Sequence, residues 1–149
     1  MQVKDIMSSS VRTVSPDTKL VEVASLMCLY RYSGLPVVED GDRIIGIIAE
    51  KDLLHKLFPS LDDLMEGFAG IDLDEMMGQY KSVLSMKVAD VMIKNVQTVS
   101  PDMHILRAAT VMVRHRFRRI PVAQDGIVVG MLSLGDVHKA IFHKNLAEL

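Results

Sequence analysis

Apolar residues recur along this chain in two rhythms. Val11–Val14 is a short, β-branched stretch ending at Ser15-Pro16, which predicts a short strand or extended entry. Leu20, Val23, Ala24, Met27 and Tyr30 then fall at helical spacing, with Asp17 or Thr18 placed to cap the helix. Leu35–Val38 and Ile44–Ala49 are apolar runs separated by the turn residues Glu39-Asp40-Gly41-Asp42, which predicts a hairpin. A closing helix is expected from Glu50–Asp52 onward.

The same order is then written again. Val3-Lys4-Asp5-Ile6-Met7 is echoed by Val88-Ala89-Asp90-Val91-Met92, and Thr13-Val14-Ser15-Pro16-Asp17 recurs unchanged from Thr98 to Asp102. Leu35-Pro36-Val37 returns as Ile120-Pro121-Val122 at the same offset of 85 residues. Beyond Asp125-Gly126 the second copy is one residue shorter, so Gly46 matches Gly130 and Asp52 matches Asp136. Ile105, Ala108, Ala109, Met112 and His115 give the second helix row, Ile120–Ala123 and Ile127–Leu132 the second hairpin, and Leu134–Asp136 the second closing helix. Each copy reads as β-α-β-β-α, an α/β (α+β) unit. A unit of about 50 residues is marginal alone, so two copies are expected to share one globule with approximate two-fold symmetry. The boundaries are 1–58 for the first unit, 59–86 for an insertion and 87–149 for the second.

The insertion is not read as a floppy linker. Ser60-Leu61-Asp62-Asp63 resembles a capping box, followed by Leu61, Leu64, Met65 and Phe68 at helical spacing up to Gly70. Asp72-Leu73-Asp74-Glu75 starts a second helix, with Met76, Met77, Tyr80 and Leu84 on one side. These two helices either cover the core or join a dimer contact.

Composition narrows the class. The 149 residues are 49% hydrophobic and 24% charged, with net charge −2, which fits a soluble globular chain and disfavours a dedicated nucleic-acid or membrane-surface protein. One cysteine, Cys28, allows no internal disulfide. No signal-peptide pattern opens the chain and no apolar run reaches the roughly 18–20 residues of a membrane span, so a cytoplasmic location is expected. Eleven methionines and no tryptophan suggest flexible core filling. The five histidines lack zinc-like spacing, and no phosphate-binding loop or dinucleotide fingerprint exists. Cys28 lies in an apolar helix and is expected to be buried and structural. No acid/base pair stands out, so no enzyme is expected, and no metal site.

Thr-Val-Ser-Pro, the hydrophobic-Pro-Val strand and the Gly…Asp segments, in order and twice over, resemble the CBS domain family, named after cystathionine β-synthase. The resemblance covers both ends of the chain and leaves out the middle helices. It implies βαββα units packed sheet to sheet, with two clefts between them that in many members bind AMP, ADP or ATP, and in some S-adenosylmethionine. It also implies that such pairs often dimerise into a disc of four units.

The family's nucleotide motif, Gly-hydrophobic-x-Ser/Thr-x-x-Asp, sits where the last strand meets the closing helix. Gly130-Met131-Leu132-Ser133-Leu134-Gly135-Asp136 matches it fully. The resemblance assigns Asp136 to the ribose hydroxyls and Ser133 to the ribose–phosphate region, beside a helix N-terminus that favours anions. Met131 belongs to the same wall, and the first copy supplies Ser15, Leu20, Tyr32, Ser33, Gly34 and Pro36 around the adenine. This is the primary cleft. The second cleft keeps Ile47 and Asp52 but has Ala49 in place of the hydroxyl. Its partner wall is Ser100, Ile105, Arg116, Phe117, Arg118 and Pro121.

Plainer readings stand beside these. Asp52 and Asp136 each lie near a helix start and can serve as caps, and Ser15 and Ser100 can simply shape turns. The basic run Arg114–Arg119 fits phosphate recognition, nucleic-acid contact or a solvated helix end. The expected function is a regulatory, energy-sensing module for an adenine nucleotide, acting through a homodimer or an unidentified partner chain. The alternatives are a structural dimerisation module with vestigial clefts, or one that binds S-adenosylmethionine.

Overall fold

The computed structural model describes residues 1–57 and 72–149. The expected capping box at Ser60–Asp63 and the helix through Leu61, Leu64, Met65 and Phe68 lie outside the described residues. Elsewhere the elements follow the two apolar rhythms. Helix α1 (Leu20–Tyr30) is followed by β1 (Gly34–Glu39), β2 (Arg43–Ala49) and α2 (Glu50–Leu57). The second copy gives α5 (Ile105–His115), β3 (Arg119–Gln124), β4 (Ile127–Ser133) and α6 (Leu134–Leu146). Two short helices, α3 (Leu73–Gly78) and α4 (Tyr80–Leu84), lie between them. The strands are hydrogen-bonded in the order β1-β2-β4-β3, with β3 and β4 antiparallel.

The hairpin turns explain the missing residue. Asp125-Gly126 is a two-residue turn with both φ positive, at 53° and 80°, the form that matches strand twist. The first copy spends three residues there, Asp40, Gly41 and Asp42, all with positive φ.

The chain divides into two packing units that cut across the sequence repeats. Unit 1 comprises Met1–Arg12, Asp40–Ile44 and Val96–Leu149; unit 2 comprises Thr13–Glu39 and Ile45–Asn95. The leader of each repeat therefore packs with the body of the other. In unit 1, Val3 N donates to Met103 O at 2.8 Å and Lys4 N to Pro101 O at 2.9 Å, and Val3 is fully buried with Ile105, Ala108, Met112 and Leu132. In unit 2, Val88 N donates to Thr18 O and Ala89 N to Pro16 O, both at 2.9 Å, and Val88 is buried with Leu20, Val23, Met27 and Ile48. The acid of each leader closes its own turn: Asp5 Oδ2 accepts from Gln2 N and Asp90 Oδ2 from Lys87 N.

The same leaders account for two glycines. Ser8 and Met131 exchange backbone hydrogen bonds, as do Ile47 and Ile93. This brings Met7 over Gly130 and Met92 over Gly46. A Cβ on Gly130 would lie 2.6 Å from Met7 Sδ and 2.9 Å from Ser8 O; on Gly46 it would lie 2.9 Å from Met92 Sδ. Neither site tolerates a side chain without movement.

Several expectations are corrected. Val14 and Val99 do not open full strands: each makes a single parallel bridge, to Val37 and Val122. Neither Asp17 nor Thr18 caps α1. Its N-cap is Lys19, whose side chain has no acceptor to offer, and Thr18 Oγ1 instead accepts from Ser15 N. Tyr30 and His115, last in their helices, are exposed rather than core. Cys28 is exposed too, since it sits one position, about 100°, past the buried row of Leu20, Val23 and Met27. The helix expected from Asp72 is broken at Gln79 into α3 and α4, with Asp72 Oδ1 capping Glu75 N as anticipated. Its buried residue is Val83, whereas Met77 is 68% exposed. Tyr80 lies partly buried on the unit 2 core, and burial, aided by Cys28 and Glu50, raises its phenol pKa above the ordinary 10.0.

Candidate functional site

The two Gly…Asp segments place their acids at the third position of a helix. In unit 1, β4 ends at Ser133 and α6 starts at Leu134. Ser133 Oγ accepts from Asp136 N at 3.0 Å, and Asp136 Oδ2 accepts from Ser133 N at 3.0 Å. This is a reciprocal capping box with Asp in the place of the usual Glu. Asp136 Oδ1 accepts no hydrogen bond from the described residues, and the box leaves the Ser133 hydroxyl proton free to be donated. The helix start thus presents an acceptor, a donor and the positive end of α6 together.

In unit 2 the box is half made. Asp52 Oδ2 accepts from Ala49 N at 2.8 Å, but Ala49 has nothing to offer in return. Asp52 is also more deeply set, at 7% exposed, whereas Asp136 is only partly buried. The two acids therefore differ in access as well as in partner.

Each helix start is tied to the residue that precedes the first strand of its hairpin. Leu134 N donates to Arg118 O at 2.9 Å, and Glu50 N donates to Ser33 O at 3.0 Å. Within a unit, then, Asp136 and Ser133 lie beside Arg118, and Asp52 lies beside Ser33 and Gly34. These neighbours belong to opposite clefts in the sequence assignment. Gly34 faces ordinary contact: a Cβ there would be 3.5 Å from Ile48 O and 3.8 Å from Ala49 Cβ. Packing does not require a glycine at this position, and its counterpart in the other repeat is Arg119.

The remaining residues sort by exposure. Ser15 and Ser100 are exposed, and both hydroxyls are used in their own turns. Ser15 Oγ lies 3.1 Å from Thr18 Oγ1, and Ser100 Oγ accepts from Asp102 N at 3.2 Å. Leu20 and Ile105 are core residues. Pro36 and Pro121 are buried in β1 and β3, where their carbonyls accept from Val14 N and Val99 N. Ile47 and Met131 are partly buried at their leader bridges.

The helix ends share a further pattern. Arg31 and Arg116, equivalent in the repeats, both adopt the left-handed conformation, with φ of 56° and 59°. After α5, Phe117 N donates to Met112 O and Arg116 N to Val113 O, a Schellman closure. Aromatic rings flank each arginine: Tyr30 and Tyr32 lie 6.0 Å apart, and His115 stacks on Phe117 at 5.4 Å. Arg116 and Arg118 are exposed, and Tyr32 and Phe117 are partly buried. The sequence reading missed this strained arginine because the usual C-terminal signal is glycine or asparagine. The signal available was the repeat itself, which keeps aromatic-or-His, Arg, aromatic at both sites.

Among the described residues, no group of three or more His, Cys, Asp or Glu is placed to hold a metal ion, and no helix is long and apolar enough to cross a membrane.

Comparison with known proteins places this geometry. The chain is 34% identical to the uncharacterized protein MJ1426 of Methanocaldococcus jannaschii, over 95% of this chain and 91% of that one. It is 30% identical to the CBS domain-containing protein YhcV of Bacillus subtilis, covering 91% and 81%. Its fold superposes on the crystal structure of CBSX2 in complex with AMP with a TM-score of 0.74, at 26% identity, covering 97% of this chain and 98% of that one. The CBS domain model matches residues 3–59 and 88–143. With two matches spanning most of its length, the chain belongs to the CBS domain family.

Proposed function

We propose that this protein is a regulatory module that binds an adenosine-containing nucleotide and carries out no chemistry on it. The observation that carries this reading is the Ser133–Asp136 pair, which, among the described residues, leaves one carboxylate oxygen without a hydrogen bond and a hydroxyl proton to donate at the N-terminus of α6. Such a set suits ribose hydroxyls and a neighbouring phosphate. The AMP bound by CBSX2, a relative of matching fold, supports the ligand class.

In this proposal Asp136, Ser133 and Met131 of unit 1 take the ribose and phosphate of a nucleotide, and Ser15, Tyr32, Ser33, Gly34 and Pro36 of unit 2, over Leu20, are candidates for contact with adenine. Asp52 and Ile47 of unit 2 are candidates for a weaker second position, and in unit 1 Ser100, Phe117 and Pro121, above Ile105, are candidates for base contact and Arg116 and Arg118 for phosphate. A ligand regulates only through its different affinity for two states of the protein, and the response passes to another chain or to the oligomer.

A second reading has its own support. The capping box gives Ser133 and Asp136 a purely structural task, which suits a dimerisation module with no ligand. Isothermal titration with AMP, ADP, ATP and S-adenosylmethionine separates the two. Binding of any adenine nucleotide, lost in Asp136→Ala, is expected. No heat with any of them sinks the sensing proposal, and heat with S-adenosylmethionine alone changes the ligand class. Incubation with ATP is expected to leave it unhydrolysed; product formation would make the protein an enzyme. A greater loss in Asp52→Ala would reverse the ranking of the two positions.

A further inference from the structure

Helix α5 starts on an imidazole. Its N-cap is His104, and Leu106 N donates to His104 Nδ1 at 3.1 Å. The other N–H groups of the first turn are also taken. Ile105 N donates to Met1 O at 3.1 Å, and Arg107 N and Ala108 N donate to His104 O at 3.0 and 3.1 Å. The matching helix α1 repeats this pattern with one gap. Leu20 N donates to Met86 O, and Glu22 N and Val23 N donate to Lys19 O, but Lys19 gives no side-chain cap. The ring of His104 supplies the bond that α1 lacks.

The same histidine sits where the leader of unit 1 docks. Gln2 and His104 form an antiparallel bridge, and Val3 N donates to Met103 O at 2.8 Å. Cap and leader thus share one helix start.

A ring nitrogen accepts only while it carries no proton, and imidazole side chains take up that proton between about pH 5 and 8. Protonation removes the acceptor from Leu106 N and sets a cation against the positive end of the helix. The surrounding charges do little to offset it. The first turn of α5 holds Arg107 and no acid, whereas α1 has Glu22 there. The leader carries the Met1 amino group, Lys4 and Asp5, and Asp5 already accepts from Gln2 N. Asp102, on the turn before the cap, is paired with Lys4 at 3.2 Å. Helix α6, packed on α5, adds His138, Lys139, His143 and Lys144 beyond its capping Asp136.

We propose that His104 is an acid-sensitive latch. Unprotonated, it caps α5 and steadies the helix start on which Met1–Lys4 dock. Protonated, it releases Leu106 N and loosens that docking. The capped ring binds one proton fewer than the released one, so the stabilisation is present at the alkaline end and is lost as the pH falls. The latch goes beyond the nucleotide reading and does not rest on it.

Urea unfolding of the full chain at about pH 8 and about pH 5 tests it. The wild type is compared with His104→Asn, whose amide oxygen caps without titrating, and with His104→Ala, which cannot cap. On acidification the folding equilibrium constant of the wild type is expected to drop by up to about fivefold more than that of His104→Asn, the worth of one cap. Other titrating groups are common to the three chains and cancel. Amide exchange followed by NMR gives a second readout that needs no variant. The protection of Leu106, and of Ile105 under Met1 O, should fall in the wild type at the lower pH. Identical pH dependence in wild type and His104→Asn, or Ile105 protection that holds at both pH values, overturns the proposal. A His104→Ala chain as stable as wild type at about pH 8 overturns the cap itself.

Discussion

Ser133 and Asp136 hold each other across the first turn of α6, each accepting the other's backbone N–H at 3.0 Å. The pair has a stabilising role whether or not it also binds a ligand, and the two roles separate by mutation. Ser133→Ala should cost about 1 kcal/mol of stability, the usual worth of an N-cap, read from urea unfolding. Asp136→Ala should show a similar stability loss. Its nucleotide affinity should fall by roughly 10–150-fold, the worth of a lost charge-assisted hydrogen bond. Lost stability with unchanged affinity would leave only the cap.

Ala49 marks the place where unit 2 lacks half of this arrangement. In Ala49→Ser the new hydroxyl should accept from Asp52 N, because the carboxylate already accepts from residue 49 at 2.8 Å. A gain of about 1 kcal/mol in unfolding free energy is expected. If the missing hydroxyl is also what weakens the second nucleotide position, calorimetric stoichiometry should rise toward two. An unchanged or lower urea midpoint would refute the cap geometry.

Gly130 and Gly34 should respond in opposite ways to the same change. Gly130→Ala drives a methyl group against Met7 Sδ and Ser8 O, and overpacking of this kind costs about 1–3 kcal/mol. Adding Met7→Ala should recover only part, since the Ser8 carbonyl is backbone. Gly34→Ala meets only ordinary contacts and should stay within about 0.5 kcal/mol of wild type. Its effect should instead appear as weaker nucleotide binding, because the proposal lays the adenine against it. A destabilised Gly34→Ala, or a neutral Gly130→Ala, would reverse the assignment of structural and binding glycines.

Arg31 and Arg116 both carry left-handed strain at a position where glycine fits freely. Arg31→Gly should raise the melting temperature, with about 1 kcal/mol gained. Arg116→Gly should gain similarly but bind a triphosphate less well than wild type. Equal ligand affinity in the Arg116 variant would leave the arginine without a phosphate role.

The repeat was legible because its landmarks are local. Thr-Val-Ser-Pro, the Asp-Gly turn and the Ser133–Asp136 spacing each specify a short stretch of backbone, and the hairpins and closing helices appear where those signals put them. Less legible were features that depend on distant partners. Nothing near Gly46 or Gly130 reveals that a methionine from another segment lies over it. Cys28 looked internal because its neighbours are apolar, but a shift of one residue turns a helical side chain to the outer face. The role of Asp136 stayed open for a related reason: an acid at the third position of a helix makes the cap seen here, and the same geometry is what the proposed ribose contact would need.

The crossed leaders separate what was copied from what folds. Each sequence repeat runs from its own Val-x-Asp motif to its closing helix, but each core is sealed by the other repeat's motif. Cutting the chain before Val88 would deprive unit 2 of the valine that plugs its core and of the methionine that lies over Gly46. It would leave the other fragment with a leader whose docking place is gone. The heritable repeat and the smallest piece able to stand alone are therefore different objects, offset from one another by one leader at each end.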